Sequence, residues 1–329
     1  MFRKKLGVLL VTLGAAALPA ASGAAELITI GTISDPGYDS ALWALNNGKV
    51  KDPAIEVKVT AVPIPAMLQA AMTRQYNILP NGILAIAQLA EQGIPARIVG
   101  TQIRYNPKGR SADIWVKKDS PYKTIRDLKG KTIGVVAFEA QNVVSVRAVI
   151  AERYSMNASV VGGDFRWVQM PPAQYEAALL ADRVDAVNFS NVPSYTATKG
   201  GQYRSVLHGS AELQEMYGGP MASVVTQAYQ EDLDKRPEAY VAALRLMKAS
   251  AAYVLANQNE VFGSVAAKFK MDPEDLKVWF TTFATMPYAL GPTDKQVFKK
   301  SWESGNKLGV LKKVPDNVDS LVWSRAIFE

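Results

Sequence analysis

The sequence predicts an α/β protein of two lobes, each a mainly parallel sheet flanked by helices, with a ligand cleft between them. Three observations carry this reading. Short β-branched runs alternate with helical patterns along the chain, which implies strands covered on both faces. An octamer beginning at Pro65 recurs, in the same setting, beginning at Pro172. The chain has 329 residues, 48% hydrophobic and 20% charged, which suits about two domains at ~150 residues each.

The elements follow in order. Residues 27–33 form a β-branched run that stops at Ser34-Asp35-Pro36-Gly37, and a helical pattern covers 38–46. Residues 55–62 alternate apolar and polar as a strand does and end at Pro63; 66–74 is helical, 78–79 is a very short strand, and 83–91 is helical up to Gly93. Strands follow at 97–102 and 114–117, then at 131–137 after the Gly130 stop, with a helix over 143–153. A strand at 165–169, a helix at 173–181 and a strand at 186–189 complete the alternation, and from Pro237 onward the pattern is mostly helical, clearest over 241–256.

The N-terminus has the composition of a signal peptide. Arg3, Lys4 and Lys5 precede an apolar run from Leu6 to Leu18, then Pro19 and the small residues Ala20 to Ala25. The run is too short for the ~20 residues a spanning helix needs. Cleavage is expected between Gly23 and Glu26, leaving an exported, unlipidated protein in the periplasm; no later stretch reads as a membrane span. The formal charge is +7, and losing Arg3, Lys4 and Lys5 takes three from it. The +4 that remains is no argument for nucleic acid. There is no cysteine, and His208 is the single histidine. Disulfides, thiolate chemistry and a lipid anchor on cysteine are thereby excluded, and a zinc site or a Ser–His–Asp triad is hard to build. No metal and no cofactor is expected.

The two octamers, Pro65-Ala-Met-Leu-Gln-Ala-Ala-Met72 and Pro172-Ala-Gln-Tyr-Glu-Ala-Ala-Leu179, lie 107 residues apart. Each leads, with a one-residue offset, to a polar residue and a short strand: Asn77-Ile78-Leu79, then Asp185-Ala186-Val187. Two lobes of similar design follow, and open α/β sheets hold ligands beyond the carboxyl ends of their strands.

By physics alone, Asp127-Leu128-Lys129-Gly130-Lys131-Thr132-Ile133-Gly134-Val135 is a helical turn stopped at a glycine and feeding a strand. As a motif it resembles the helix-to-strand joint of type II periplasmic solute-binding proteins, in particular the nitrate/sulfonate/taurine branch that serves ABC importers. Leu179-Leu180-Ala181-Asp182-Arg183-Val184-Asp185-Ala186 and Arg236-Pro237-Glu238-Ala239 are similar to further joints of that branch. The resemblance spans essentially the whole mature chain. It implies lobe one at 26–118 plus 215–329 and lobe two at 119–214, joined by crossing segments near 112–120 and 205–222. It also implies a monomer that captures a small organic molecule (a sulfonate, aromatic carboxylate or heterocycle), closes, and presents itself to a membrane permease with its cytoplasmic ATPase. Ligand binding has only to favour the closed form. The alternatives are an enzyme on the same fold, a lyase or synthase, and a ligand-sensing partner of a membrane receptor.

Strand-end loops supply the candidate ligand-binding residues. From lobe one these are Ser34, Asp35, Tyr38, Pro80, Asn81, Arg104 and Tyr105; from lobe two, Phe138, Glu139, Gln141, Asn142, Ser190, Asn191 and Tyr195, with Tyr217 just beyond the second lobe's boundary. Ser34, Asp35 and Asn142 read equally well as turn or cap residues, and Tyr105 and Phe138 as packing. Backbone N–H groups near Gln141 suit an anion. Where the branch commonly has small hydroxyl residues that hold an oxyanion, however, this chain has Phe138-Glu139-Ala140-Gln141-Asn142. A carboxylate there disfavours nitrate or a sulfonate and favours a ligand that offers donors.

Overall fold

The computed structural model describes residues 25–329. The expected signal peptide, 1–25, and its cleavage therefore lie outside the described residues, Ala25 excepted.

In chain order the strands are β1 (Glu26–Ile33), β2 (Ile55–Val62), β3 (Leu79–Gly82), β4 (Ala96–Tyr105), β5 (Ile114–Lys117), β6 (Thr132–Val135), β7 (Arg166–Gln169), β8 (Ala186–Val187), β9 (Tyr203–Leu207), β10 (Met221–Tyr229) and β11 (Ala284–Thr285). The helices that position the site or join the lobes are α1 (Pro36–Ala41), α2 (Met67–Met72), α3 (Ile83–Glu91), α4 (Gln141–Tyr154), α5 (Tyr175–Leu180), α6 (Asn191–Gly200), α7 (Gly209–Tyr217), α8 (Pro237–Ala256), α9 (Pro273–Val278) and α10 (Asp294–Lys307).

Lobe one is built on β1 and β2, paired in parallel, and on the sheet β11-β4-β10-β3. A parallel bridge between Ile30 and Ile78 joins the two, with Gly31 N donating to Ile78 O at 2.8 Å. Lobe two is the five-stranded sheet β7-β6-β8-β5-β9. The α/β, two-lobed reading stands. The expectation of mainly parallel sheets is corrected. In β11-β4-β10-β3 every ladder is antiparallel, because the returning strands run against β3 and β4. The second sheet is mixed, with β5 antiparallel to β8 and β9 and β6 parallel to β7 and β8.

One expected boundary moves. A break at 118/119 assigns β5 to lobe one, but Trp115 pairs with Val187 and Ile114 with Leu207 in the second sheet. The indole of Trp115 also packs edge-on against Phe189 of that lobe, so burial draws the strand there. The crossing segments are consequently 106–113 and 208–220. They lie against each other: a Cβ on Gly209 would stand 2.1 Å from Ala112 O, a contact only glycine permits. Ser210 Oγ accepts from Ala112 N, and the buried Asp113 carboxylate accepts from Arg110 and faces His208.

The helix-to-strand joint forms as its residues dictate. Thr124 and Asp127 make a capping box, with Asp127 Oδ2 accepting from Thr124 N and Lys123 N at 2.8 Å each. Those backbone bonds hold the Asp127 carboxyl below its usual range. Gly130 then turns at φ +75° into β6.

The membrane expectation needs one correction. α8 is 20 residues long and apolar enough to cross a bilayer by length and composition, although 56% of its most apolar window is buried. Tyr240, Ala243, Leu244 and Val254 on it are fully buried core residues of lobe one.

Candidate functional site

The interlobe cleft is formed where strand ends from both sheets meet helix starts. β1 leads into α1, whose first turn is capped by Asp35: Oδ1 accepts from Gly37 N at 2.8 Å, and Pro36 takes the position that needs no donor. This sets Tyr38, 1% exposed, against the cleft. β3 ends at Pro80-Asn81-Gly82 and runs straight into α3. Across the gap, β6 leads through 136–140 into α4, and β8 leads through 188–190 into α6.

The cavity measures about 230 Å³ and is lined from both lobes. Of the sequence candidates, Tyr38, Pro80, Asn81 and Tyr105 line it from lobe one, and Glu139, Gln141, Asn142, Ser190 and Asn191 from lobe two. Six candidates fall outside the lining. Ser34 is exposed on the rim of β1. Asp35 is spent as the α1 cap. Phe138 donates its N–H to Gln169 Oε1 and is half-buried. Tyr195 packs edge-on against Phe283 at 5.3 Å between centroids. Tyr217 is 3% exposed within the core, where burial pushes its hydroxyl up. Arg104 is the sharpest correction. Its guanidinium faces away from the cleft and donates to Asp294 Oδ1 at 2.7 Å, to Ala289 O at 2.9 Å and to Glu329. Asp294 is fully buried and also accepts from Thr101 and Gly291 N. Desolvating a cation inside lobe one demanded that partner, and it lies 190 residues further along the chain.

Residues that sequence reasoning missed complete the lining. Ile64, Pro65, Met67 and Leu68 form an apolar lip, Ala85 and Gln88 extend it along α3, and Ser223 and Val224 come from β10. The lip is the first copy of the repeated octamer; its apolar spacing reads as ordinary helix core, so only the repeat singled it out.

Several hydrogen bonds tie the lobes around the cavity. Gln141, at the start of α4, accepts from Leu84 N of α3 at 2.9 Å through Oε1 and donates to Ser301 of α10 at 2.8 Å through Nε2. Its Cβ packs so close that a Cβ on Gly82 would stand only 3.0 Å from it. Tyr105 OH donates to Asn191 Oδ1 at 2.5 Å. Ser304 donates to Glu152 at 2.8 Å. On the other side Lys199 of α6 reaches Asp272 and Asp275, at 3.1 and 2.6 Å. Asp35 feels this neighbourhood: burial pushes its carboxyl up to about 6, against the Gly37 and Asn191 hydrogen bonds that lower it.

Chemically, the cleft offers amides, hydroxyls, one carboxylate and a large apolar surface. Among the described residues no cluster of histidine and carboxylate side chains could hold a metal ion. His208 stands at the crossing segments beside Asp113, outside the cleft lining.

Comparison with known proteins agrees with this architecture. The family model described as NMT1/THI5 like matches residues 80–261, more than half of the chain. No curated protein sequence matches. Among solved structures, the chain is similar to the periplasmic aliphatic sulphonate binding protein SsuA from Escherichia coli, at 15% identity over 92% of this chain and 94% of that one, with a TM-score of 0.70. The alkanesulfonate-binding protein SsuA from Xanthomonas axonopodis pv. citri, bound to MOPS, aligns at 17% identity over 92% and 99%, with a TM-score of 0.72. The ligand binding component of an ABC-type import system from Staphylococcus aureus aligns at 14% identity over 91% and 96%, with a TM-score of 0.67. At such identities these likenesses establish the two-lobed periplasmic binding protein fold, and together with the family match they give the conclusion that the chain belongs to the NMT1/THI5-like family.

Proposed function

We propose that this protein is the extracytoplasmic solute-binding component of an ABC importer, which captures one small organic molecule between its lobes and delivers it to a membrane permease. The observation that carries the reading is the cleft itself, lined from strand ends of both lobes and bridged by Gln141 and by the Tyr105–Asn191 bond. Groups that touch both lobes and the cavity let a ligand favour closure through contacts available only when the lobes meet. The titles of the similar structures, which name periplasmic and import-system binding proteins, support the same role. The signal-peptide composition of residues 1–25 supports export to the periplasm, and the exported protein is taken to act as a monomer.

A thermal-shift screen over sulfonates, aromatic carboxylates, pyrimidines, polyamines and nitrate, followed by small-angle scattering with the best hit, tests the proposal. A saturable one-to-one shift accompanied by a smaller radius of gyration is expected. No stabilisation by any compound class, or turnover of a bound compound, would remove the transport reading. Mass spectrometry of the periplasmic form should show a start between Ala24 and Glu26.

A further inference from the structure

Building on the solute-binding reading, we infer that the cleft selects a ligand with an uncharged, amide-like head, carrying N–H donors beside a carbonyl-type acceptor, on an apolar body. It discriminates against sulfonate, carboxylate and nitrate anions. Among the described residues, no lysine, arginine or histidine lines the cavity. Two nearby arginines are committed elsewhere: Arg104 to Asp294 and Glu329, and Arg147 to the carbonyls of Ala158 and Phe138. The charge that does line the cleft is a carboxylate, Glu139. A second, Asp35, is buried just behind Tyr38. An anion would have to shed its water beside like charge and with no cationic side chain, its only compensation being the partial positive end of α4.

The uncharged groups point the other way. Asn81 Nδ2 is donated to Gln227 and Asn142 Nδ2 to Asn188, which leaves each side-chain carbonyl oxygen to accept. The hydroxyls of Tyr38 and Ser223, residues 1% and 3% exposed, line the cavity and bond to no other group among the described residues. A ligand N–H satisfies the amide oxygens, and a ligand carbonyl satisfies the hydroxyls or the first N–H groups of α4. The positive end of the α4 dipole faces the same cavity, so a full ammonium is opposed there while a carbonyl oxygen is welcome. The apolar body lies along Ile33, Ile64, Met67, Leu68, Pro80 and Val224.

The test is calorimetric titration of the exported protein with four hexyl compounds that differ only in the head: hexanamide, hexylammonium, hexanoate and hexanesulfonate. Hexanamide is expected to bind about tenfold tighter than each of the others. Tightest binding by either anion or by hexylammonium overturns the assignment, as does failure of all four to bind. Each of these leaves the importer reading standing if another compound in the wider screen binds and contracts the protein. A second arm uses Glu139→Lys, at an exposed position where the fold, checked by melting temperature, tolerates the change. Its preference for hexanesulfonate over hexanamide should rise about tenfold relative to the parent, and an unchanged ratio would show that Glu139 does not set the charge preference.

Discussion

The turn Ile64–Ala66 and helix α2 in lobe one have a counterpart in lobe two, the turn Pro172–Gln174 followed by α5. Both helices are six residues long, and each is followed two residues later by a left-handed residue, Arg74 at φ 51° and Asp182 at φ 53°. Then comes a polar side chain that clamps the start of a neighbouring strand: Asn77 Oδ1 accepts from Thr29 N at 2.9 Å, Asp185 Oδ2 from Thr132 N at 2.8 Å. The copies diverge in what their helices face. Met67 and Leu68 of α2 line the cleft, whereas Tyr175 and Leu179 of α5 are buried with Trp115 and Phe189 in a core cluster confined to lobe two. One scaffold thus supplies an apolar lip in the first lobe and, in the second, a polar rim made by the loops at Glu139–Asn142 and Ser190–Asn191. The apolar lip comes from lobe one alone, whereas polar lining groups come from both lobes, Tyr38, Asn81 and Ser223 from the first and Glu139, Asn142 and Ser190 from the second.

Breaking one lobe and sparing the other gives the largest expected effect. Asp294→Ala leaves the Arg104 guanidinium buried beside only the half-exposed Glu329, and should cost lobe one about 3–5 kcal/mol in urea denaturation. A loss below about 1 kcal/mol would mean that water replaces the carboxylate.

Next comes pH. Because burial raises the Asp35 carboxyl from 3.8 to about 6, the folded protein favours its protonated form. That contribution is complete below about 3.8 and is lost as pH rises through about 6, an effect on the order of 3 kcal/mol. Asp35→Asn keeps a cap acceptor but cannot ionise, so its stability relative to the parent should climb between pH 4 and pH 7. A flat difference across that range would place the carboxyl in water.

The clamps themselves sharpen the comparison. Asn77→Ala and Asp185→Ala each leave a strand N–H without its partner and should each cost about 1–3 kcal/mol. Equal costs support one shared design; a neutral Asp185→Ala with a costly Asn77→Ala would mean that the second copy is a chance likeness. The smallest effect is expected from Lys199→Ala, which removes interlobe ion pairs to the exposed Asp272 and the largely buried Asp275. Its melting temperature should fall by only a few degrees, while the ligand-free radius of gyration loses its dependence on salt.

Where strands and helices have a hydrophilic side, their periodicity was readable, and β2 and α3 begin and end where the sequence predicts. β10 was invisible for a physical reason. Eight of its nine residues are buried on a strand covered on both faces, Thr226 and Gln227 included, so nothing alternates. With β10 unread, Ser223 and Val224 could not be placed in the cleft. Nine candidates at strand ends do line the cavity, since a strand end is legible wherever a β-branched run meets a turn. Arg104 failed because a cation's partner, when it sits nearly two hundred residues away, leaves no local trace.

The crossing of the chain also orders its assembly. Lobe two is one uninterrupted stretch, with every strand of its sheet contributed between Ile114 and Leu207. Lobe one has no such independence: β3 and β4 are separated by β10, which arrives more than a hundred residues after β4. During synthesis the inserted lobe therefore has all its strands while the first is still missing the middle of its sheet, with the edges of β3 and β4 unpaired. Contacts of such long sequence separation close slowly. The same double crossing between the sheets keeps the newborn chain open until its last third emerges.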